Sequence, residues 1–253
     1  MTFKIENESD IFITERRSFI LNVLKETFDD LDPGSLVKSH LKGLDLSMYE
    51  KIYIIGFGKA SMAMYSGLRE MALSKLAYAG IIVPTGETVS QYPELHILTG
   101  THPYTSDLSV NSSMDLLSHV RPGKDDLVIV LVSGGGSSLF EIPEDGIEIS
   151  FIADTSKKMM DSGSDIYELN AIRSVLSKVK GGKLARILYP AKVQSFIVSD
   201  VPGDDISVIA SGPLVRLKND PRLVYEKYKK VLDPKIENYL DQAIINDVYF
   251  KNV

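Results

Sequence analysis

Residues 127–139 read Leu-Val-Ile-Val-Leu-Val-Ser-Gly-Gly-Gly-Ser-Ser-Leu, and this stretch constrains the chain more than any other. Leu127 to Val132 are six apolar residues in a row. An uninterrupted, β-branched run is the pattern of a strand buried on both faces, as in a parallel sheet. The strand must stop where glycine begins. Glycine carries no Cβ, so Gly134, Gly135 and Gly136 can bring successive backbone N–H groups onto a ligand oxygen, with the Ser133, Ser137 and Ser138 hydroxyls beside them. A helix starting after Ser138 would add its dipole to that attraction for anions. Two readings stand: an anion cradle, or a tight strand-to-helix turn that needs glycine only for its backbone.

The rest of the chain follows the same grammar. Thr14 to Asp32 reads as a helix capped by Thr14, with Phe19, Ile20, Val23, Leu24, Phe28 and Leu31 at helical spacing. Asp32-Pro33-Gly34 breaks it, and a short helical stretch runs to about Leu41. Lys51 to Ile55 is a buried strand that enters Gly56-Phe57-Gly58-Lys59-Ala60-Ser61, and a helix then continues to about Leu76. A dinucleotide fingerprint would want glycine where Ser61 stands, and the P-loop pattern fails at Tyr53 and Ala60. What remains is Lys59 beside Gly58 at the carboxyl end of a strand, the edge where open α/β sheets place ligands.

Gly80–Pro84 and Leu95–Thr99 read as further strands, and His102-Pro103 as a loop whose histidine is more often structural than catalytic. Ser106 to Val120 reads as a helix with Leu108, Leu117 and Val120 buried. Up to Ser138 the order is helix, then β-α-β-β-α-β. That predicts a doubly wound, mostly parallel sheet: a Rossmann-like α/β/α sandwich with both glycine turns on one edge.

Ile149 to about Ser162 is an amphipathic helix, and Asp165 to Val179 another, opened by the capping box Asp165/Glu168. Leu169, Ile172, Leu176 and Val179 share one stripe of it; Asn170, Arg173, Ser177 and Lys180 share the next. Two cations, an amide and a hydroxyl without an acid suit an anionic ligand; the alternative is a solvated flank. Gly181-Gly182 marks a joint before a helix from Lys183 to Leu188. Lys192 to Ser199 is the last buried strand, ending in Asp200-Val201-Pro202-Gly203-Asp204-Asp205. Three carboxylates past a strand end either hold a hydrated Mg²⁺ or make an Asp-rich turn. Asp220 to Val253 reads as two helices, or a linker, with Lys227, Lys229, Lys230 and Lys235 solvated.

Composition removes several function classes. A net charge of −6 disfavours gripping nucleic acid or an anionic membrane surface. No run of about 18 apolar residues is present to span a bilayer. The absence of cysteine rules out disulfides and thiolate chemistry, and with no signal-like apolar core in the first ten residues the default location is cytoplasmic.

Six motifs then occur in a fixed order: Ile54-Ile55-Gly56-Phe57-Gly58-Lys59-Ala60, Thr101-His102-Pro103, the stretch from Leu131 to Leu139, Asn170-Ala171-Ile172-Arg173, Leu176 to Ala185, and Ser199 to Asp205 continuing through Ser207–Pro213. In these the chain closely resembles the amino-terminal domain of the type II glycerate kinases, enzymes often labelled hydroxypyruvate reductases. The resemblance runs from Thr14 to about Leu232. It implies ATP-dependent phosphorylation of D-glycerate to 2-phosphoglycerate, ATP and Mg²⁺ as cofactors, and an active site in a cleft against a carboxyl-terminal α/β domain that this chain lacks. It also implies small-molecule partners only, with a homodimer open to it.

On that resemblance Lys59 contacts the transferring phosphoryl group or the glycerate carboxylate. The 133–138 loop binds oxygens, and Arg173 offers a planar fork, with Lys180 a weaker candidate for the same task. Asp200 and Asp204 hold Mg²⁺ or accept the substrate hydroxyl proton. Two other readings remain: a nicotinamide-dependent reductase resting on Gly56-Phe57-Gly58 and on Glu87 beyond the second strand, and a non-catalytic anion-binding domain.

Overall fold

The computed structural model describes residues 5, 7–12, 14–87 and 92–253. Its elements in chain order are α1 (Glu8–Ile11), α2 (Glu15–Asp30), α3 (Pro33–Leu41), β1 (Ile52–Phe57), α4 (Ser61–Ala72), β2 (Leu76–Pro84), β3 (Leu95–Gly100), α5 (Asp107–Ser118), β4 (Leu127–Ser133), α6 (Gly136–Leu139), α7 (Ile149–Asp161), α8 (Ile166–Leu176), α9 (Lys183–Leu188), β5 (Lys192–Val198) and α10 (Pro221–Tyr228). Short 3-10 turns join several of them. The chain divides into two compact units, residues 1–46 with 63–74, and residues 47–62 with 75–253.

In the smaller unit Thr14 caps α2, its hydroxyl accepting from the Arg17 N–H at 3.2 Å. Asp32 caps α3 in the same way, with Pro33 in the first turn, where its missing N–H costs nothing. The predicted apolar stripe of α2 is real as a pattern, but none of its residues is buried: Phe19 is 70% exposed and Leu31 60%. The buried residues of this unit stand on α3 and α4 instead, among them Val37, Leu41, Met64, Tyr65 and Leu68.

The larger unit holds a five-stranded sheet in the order β3-β2-β1-β4-β5, every pairing parallel. β1 and β4 are buried along their whole length, as continuous apolar runs require. On one face Tyr53, Ile55 and Phe57 of β1 and Val128, Val130 and Val132 of β4 pack with Leu116 and Leu117 of α5 and Leu184 and Leu188 of α9. A second cluster joins α7, α8, α10 and the 3-10 segment Pro234–Ala243 through Ile152, Met159, Ile172, Val175, Val224 and Leu240.

Several expected boundaries move. The helix after β1 stops at Ala72, and Leu76 already opens β2, which begins before Gly80. α5 is shorter than predicted, and Leu108 is 43% exposed rather than buried. The second predicted helix at the end of the chain is 3-10, Pro234–Ala243, while α10 is the first. Lys227 and Lys229 lie at the surface as expected, but each is paired, with Glu168 and Glu226. Among the described residues no helix is long and apolar enough to cross a membrane.

The strand order decides where a ligand can sit. From β1 the chain steps outward through β2 and β3, then returns to the other side for β4 and β5. The switch falls between β1 and β4, and the crevice beyond the carboxyl ends of those two strands is the ligand position of open α/β sheets.

Candidate active site

Both glycine turns lie at that crevice and touch each other. Lys59 N–H donates to the Gly134 carbonyl at 3.0 Å, and Ala60 N–H donates to Ser133 Oγ at 2.9 Å. Gly58 has φ +122°, and a Cβ there would meet the Ser133 backbone at 2.6 and 2.8 Å. Glycine is required at this position on both counts. Ser61, where a dinucleotide fingerprint wants its third glycine, is fully buried and closes the turn through a 2.7 Å bond from its hydroxyl to the Gly58 carbonyl.

Each of the three consecutive glycines faces a different partner. The Asp200 carboxylate lies on Gly134, its Cγ 2.7 Å from where a Cβ would be. The His102 ring lies 3.3 Å from the corresponding point on Gly135, which has φ +86°. Ala210 and the Phe57 ring each come within 3.1 Å of it on Gly136. Phe57 in turn stacks on Phe140 with centroids 4.2 Å apart, fixing the floor of the loop. The expected helix after Ser138 is instead a single turn, Gly136–Leu139, that begins before it. One turn carries no sizeable macrodipole. The attraction for anions rests on the N–H groups themselves: among the described residues, no protein acceptor takes those of Gly134, Gly135, Gly136 and Ser137.

Two side chains complete this rim. Asp200 is exposed beyond the end of β5, and Lys59 is exposed beyond β1. The Lys59 charge acts against burial on Glu87, whose carboxyl is pushed above its ordinary range by desolvation in spite of that ammonium. His102, read from sequence as structural, stands at the loop as well. The Ser138 hydroxyl donates to the Gly135 carbonyl at 3.1 Å, so at 3.0 Å it accepts from His102 Nδ1.

The three carboxylates after β5 do not act together. Asp205 accepts from Tyr167 at 2.9 Å, from the Ser207 hydroxyl at 2.7 Å and from Lys218, and these donors hold its carboxyl well below the carboxylate range. Asp204 is exposed with φ +51°, its N–H bonded to the Val201 carbonyl. Asp200 alone of the three lies on the glycine loop.

The predicted polar stripe is also divided. α8 ends at Leu176, and Ser177 is extended, bridging to Pro143, so Asn170 and Arg173 share a helix face that Ser177 and Lys180 do not. Asn170 is buried. Its Oδ1 accepts from Ser211 at 3.0 Å, next to the Ala210 that packs on the loop, and its Nδ2 has no acceptor among the described residues. Arg173 Nε donates to Ser156 Oγ at 3.1 Å, and burial lowers its pKa against the opposing charge of Glu141. Lys180 is buried and donates to the Ser137 and Phe140 carbonyls at 2.8 and 3.1 Å, with Glu141 at 3.2 Å. Its ammonium thus braces the glycine loop from behind.

The stripe therefore has an acid after all, supplied by the loop's own continuation. One turn of chain further on, Lys183 meets Glu144 at 2.7 Å. The signal for both was present: Glu141 and Glu144 are three residues apart, and so are Lys180 and Lys183.

Residues 19–241 match the family model described as "Domain of unknown function (DUF4147)". The chain belongs to the DUF4147 family. Among relatives, it is 54% identical to the glycerate 2-kinase of Picrophilus torridus, over 98% of this chain and 60% of that protein. It is 31% identical to the D-glycerate 2-kinase of Thermotoga maritima, over 84% of this chain and 51% of that protein. A crystal structure of glycerate kinase from Thermotoga maritima superposes with a TM-score of 0.82 and 30% identity, covering 89% of this chain and 55% of that one. This DUF4147 chain thus spans only a little over half the length of the kinases it resembles.

Proposed function

We propose that this chain is the amino-terminal α/β part of an ATP-dependent D-glycerate 2-kinase, transferring the γ-phosphoryl group of ATP to the 2-hydroxyl of glycerate. One observation carries the reading furthest: among the described residues, the N–H groups of Gly134 to Ser137 lack protein acceptors at the switch point of a parallel sheet. Such an array suits the oxygens of a phosphate or carboxylate. The names of the relatives supply the substrate.

Phosphoryl transfer asks a protein for positioning and charge neutralisation more than for covalent chemistry. Lys59, exposed beside the glycine loop, neutralises charge on the transferring group or on the glycerate carboxylate. Asp200, with its carboxylate over Gly134, takes the proton of the attacking hydroxyl or holds Mg²⁺. The donor set fits that ion, because Mg²⁺ is held by one or two carboxylates plus substrate phosphates and water. When bound, Mg²⁺ offsets negative charge on the phosphate oxygens. Asp204 remains a further candidate ligand. Asn170, whose buried Nδ2 has no acceptor among the described residues, is a further candidate donor to the ligand. Arg173 and Lys180 support the site from α8 and from behind the loop. The reading places the protein in the cytoplasm, with ATP and glycerate as its small-molecule partners.

The test is calorimetric titration of the folded chain with ATP–Mg²⁺ and, separately, with D-glycerate. A second arm repeats it in the two-domain protein, beside turnover assays for ADP release and for NADH oxidation by hydroxypyruvate. Glycerate-dependent ADP release that collapses in Lys59→Ala, with the fold intact, supports the reading. NADH oxidation without ADP release would replace it with the reductase, and near-normal turnover of Lys59→Ala would remove Lys59 from the mechanism.

A further inference from the structure

Away from the glycine loops, two of the four histidines in the chain converge on one carboxylate. His96 is the second residue of β3, an edge strand of the sheet. Asp115 lies in the last turn of α5, and His119 follows four residues later, on the same helical face. His96 Nε2 is 3.6 Å from Asp115 Oδ2, and His119 Nδ1 is 3.5 Å from Asp115 Oδ1. One ligand atom from each residue lies within 4.8 Å of the other two. His96 stands four residues before the end of its strand, about 13 Å along it from the ligand edge at 3.3 Å per residue. This cluster is therefore separate from Lys59 and the 133–138 loop.

We propose that His96, Asp115 and His119 form a binding site for one divalent transition-metal ion, with Zn²⁺ the best match and water in the remaining position. Two imidazoles and one carboxylate are a borderline-soft donor set that suits Zn²⁺ and its neighbours and does not suit Mg²⁺ or Ca²⁺. Tetrahedral bonds of about 2.0–2.2 Å bring ligand atoms to about 3.5 Å from one another. Each imidazole stands at that separation from one oxygen of Asp115, His96 from Oδ2 and His119 from Oδ1, so a small turn of the carboxylate or of a ring brings both onto one ligating oxygen. Closing the third pair needs a turn of the exposed His119 ring within its stack on Tyr78.

The surroundings favour a cation and orient the ligands. The last turn of a helix presents the negative end of its dipole; His119 Nδ1 lies 2.9 Å from the Asp115 carbonyl, which also accepts from Ser118 Oγ, and a metal on Nδ1 takes the place of that contact. Behind His96, Tyr78 Oη is 3.1 Å from Nδ1. A proton on Nδ1 donated to that oxygen leaves the Nε2 lone pair on the Asp115 side, the arrangement by which an outer partner fixes the tautomer of a metal-binding histidine. The Tyr78 ring also stacks on His119, with centroids 5.0 Å apart and planes 5° from parallel. Gly80 makes room for that ring: a Cβ there would stand 2.8 Å from Tyr78 Cζ and 2.6 Å from Leu116 Cδ1. An ion held here would tie the edge strand to the end of α5.

The experiment uses the tag-free, chelator-treated chain. ZnCl₂ is titrated calorimetrically, MgCl₂ serves as the control, and the visible spectrum is recorded with Co²⁺. Expected are one equivalent of Zn²⁺ bound in the micromolar range or tighter, a Co²⁺ spectrum of a low-coordinate N/O site, and a Zn²⁺-dependent rise in Tm. Asp115→Asn and His96→Ala/His119→Ala should each weaken binding by at least about tenfold, with metal-free circular dichroism unchanged. Absence of stoichiometric binding, or equal binding by the double variant, would overturn the proposal.

Discussion

Lys183 is fully buried, and its ammonium has two partners: Glu144 Oε1 at 2.7 Å and the Ser177 carbonyl at 2.6 Å. Lys183→Met keeps the length and apolar stem of the side chain and removes the charge. It leaves Glu144, itself only 9% exposed, as a buried carboxylate without its cation, and it orphans the Ser177 carbonyl. Breaking a buried ion pair from one side costs about 3–5 kcal/mol, because the remaining charge stays desolvated. For a unit of this size about 1 kcal/mol moves Tm by about 2–4 °C, so the expected drop is about 6–20 °C. Turning the Gln242 amide would let its nitrogen donate to Glu144 at 2.9 Å, which sets the outcome toward the lower end. Glu144→Gln added to Lys183→Met removes the stranded charge and should recover about half of the loss, a coupling that a double-mutant cycle reads directly. Differential scanning calorimetry and urea unfolding measure both. A loss below about 1 kcal/mol for Lys183→Met, or strict additivity in the double variant, would refute the assignment of a buried, charged pair.

Gly58→Ala puts a Cβ 2.6 Å from the Ser133 carbonyl oxygen at φ +122°, and should cost about 2 kcal/mol or more, read as a lower urea midpoint. Gly134→Ala pushes only the exposed Asp200 carboxylate aside, so stability should stay within about 1 kcal/mol while ADP release by the two-domain protein falls sharply. Lys218 and the Ser207 hydroxyl hold the Asp205 carboxyl below its ordinary value of 3.8. The folded state therefore binds that proton less readily than the unfolded chain. Its contribution is complete above about pH 4 and is lost as pH falls further, so Asp205→Asn should flatten the acid limb of a Tm–pH curve. Ile20→Ser or Val23→Ser on α2, at 52% and 45% exposure, should each cost only about 1 kcal/mol, well below a core truncation, since about half of each side chain is already wet in the fold.

The site was legible wherever its logic is local. Gly134–Gly136 after a continuous apolar run marks a strand end that must admit close approach, and the structure sets a different group against each glycine. Lys59 beside Gly58 could be assigned to the same edge because strand–glycine–helix units in a parallel sheet put their turns on one side. The Asp165/Glu168 capping box and the Thr14 cap depend on neighbours three residues away and are found where expected. What failed was periodicity carried past its end. Continuing the α8 stripe from Arg173 to Lys180 assumed a helix where Ser177 is extended.

Sequence by itself determined the parallel α/β class, the two glycine turns and their shared edge, because buried strands and glycine turns declare themselves within a few residues. Only the tertiary structure decided which charges are free and which are spent. Asp205 goes to Lys218 and Ser207, Lys180 to the loop carbonyls and Glu141, and Lys183 to Glu144. It also brought His102 to the loop and His96 to Asp115. Apart from the Asp205–Ser207 bond, these pairings join residues 13 to 43 positions apart. A titratable side chain has no partner until the chain has folded, and desolvation then makes the choice of partner matter.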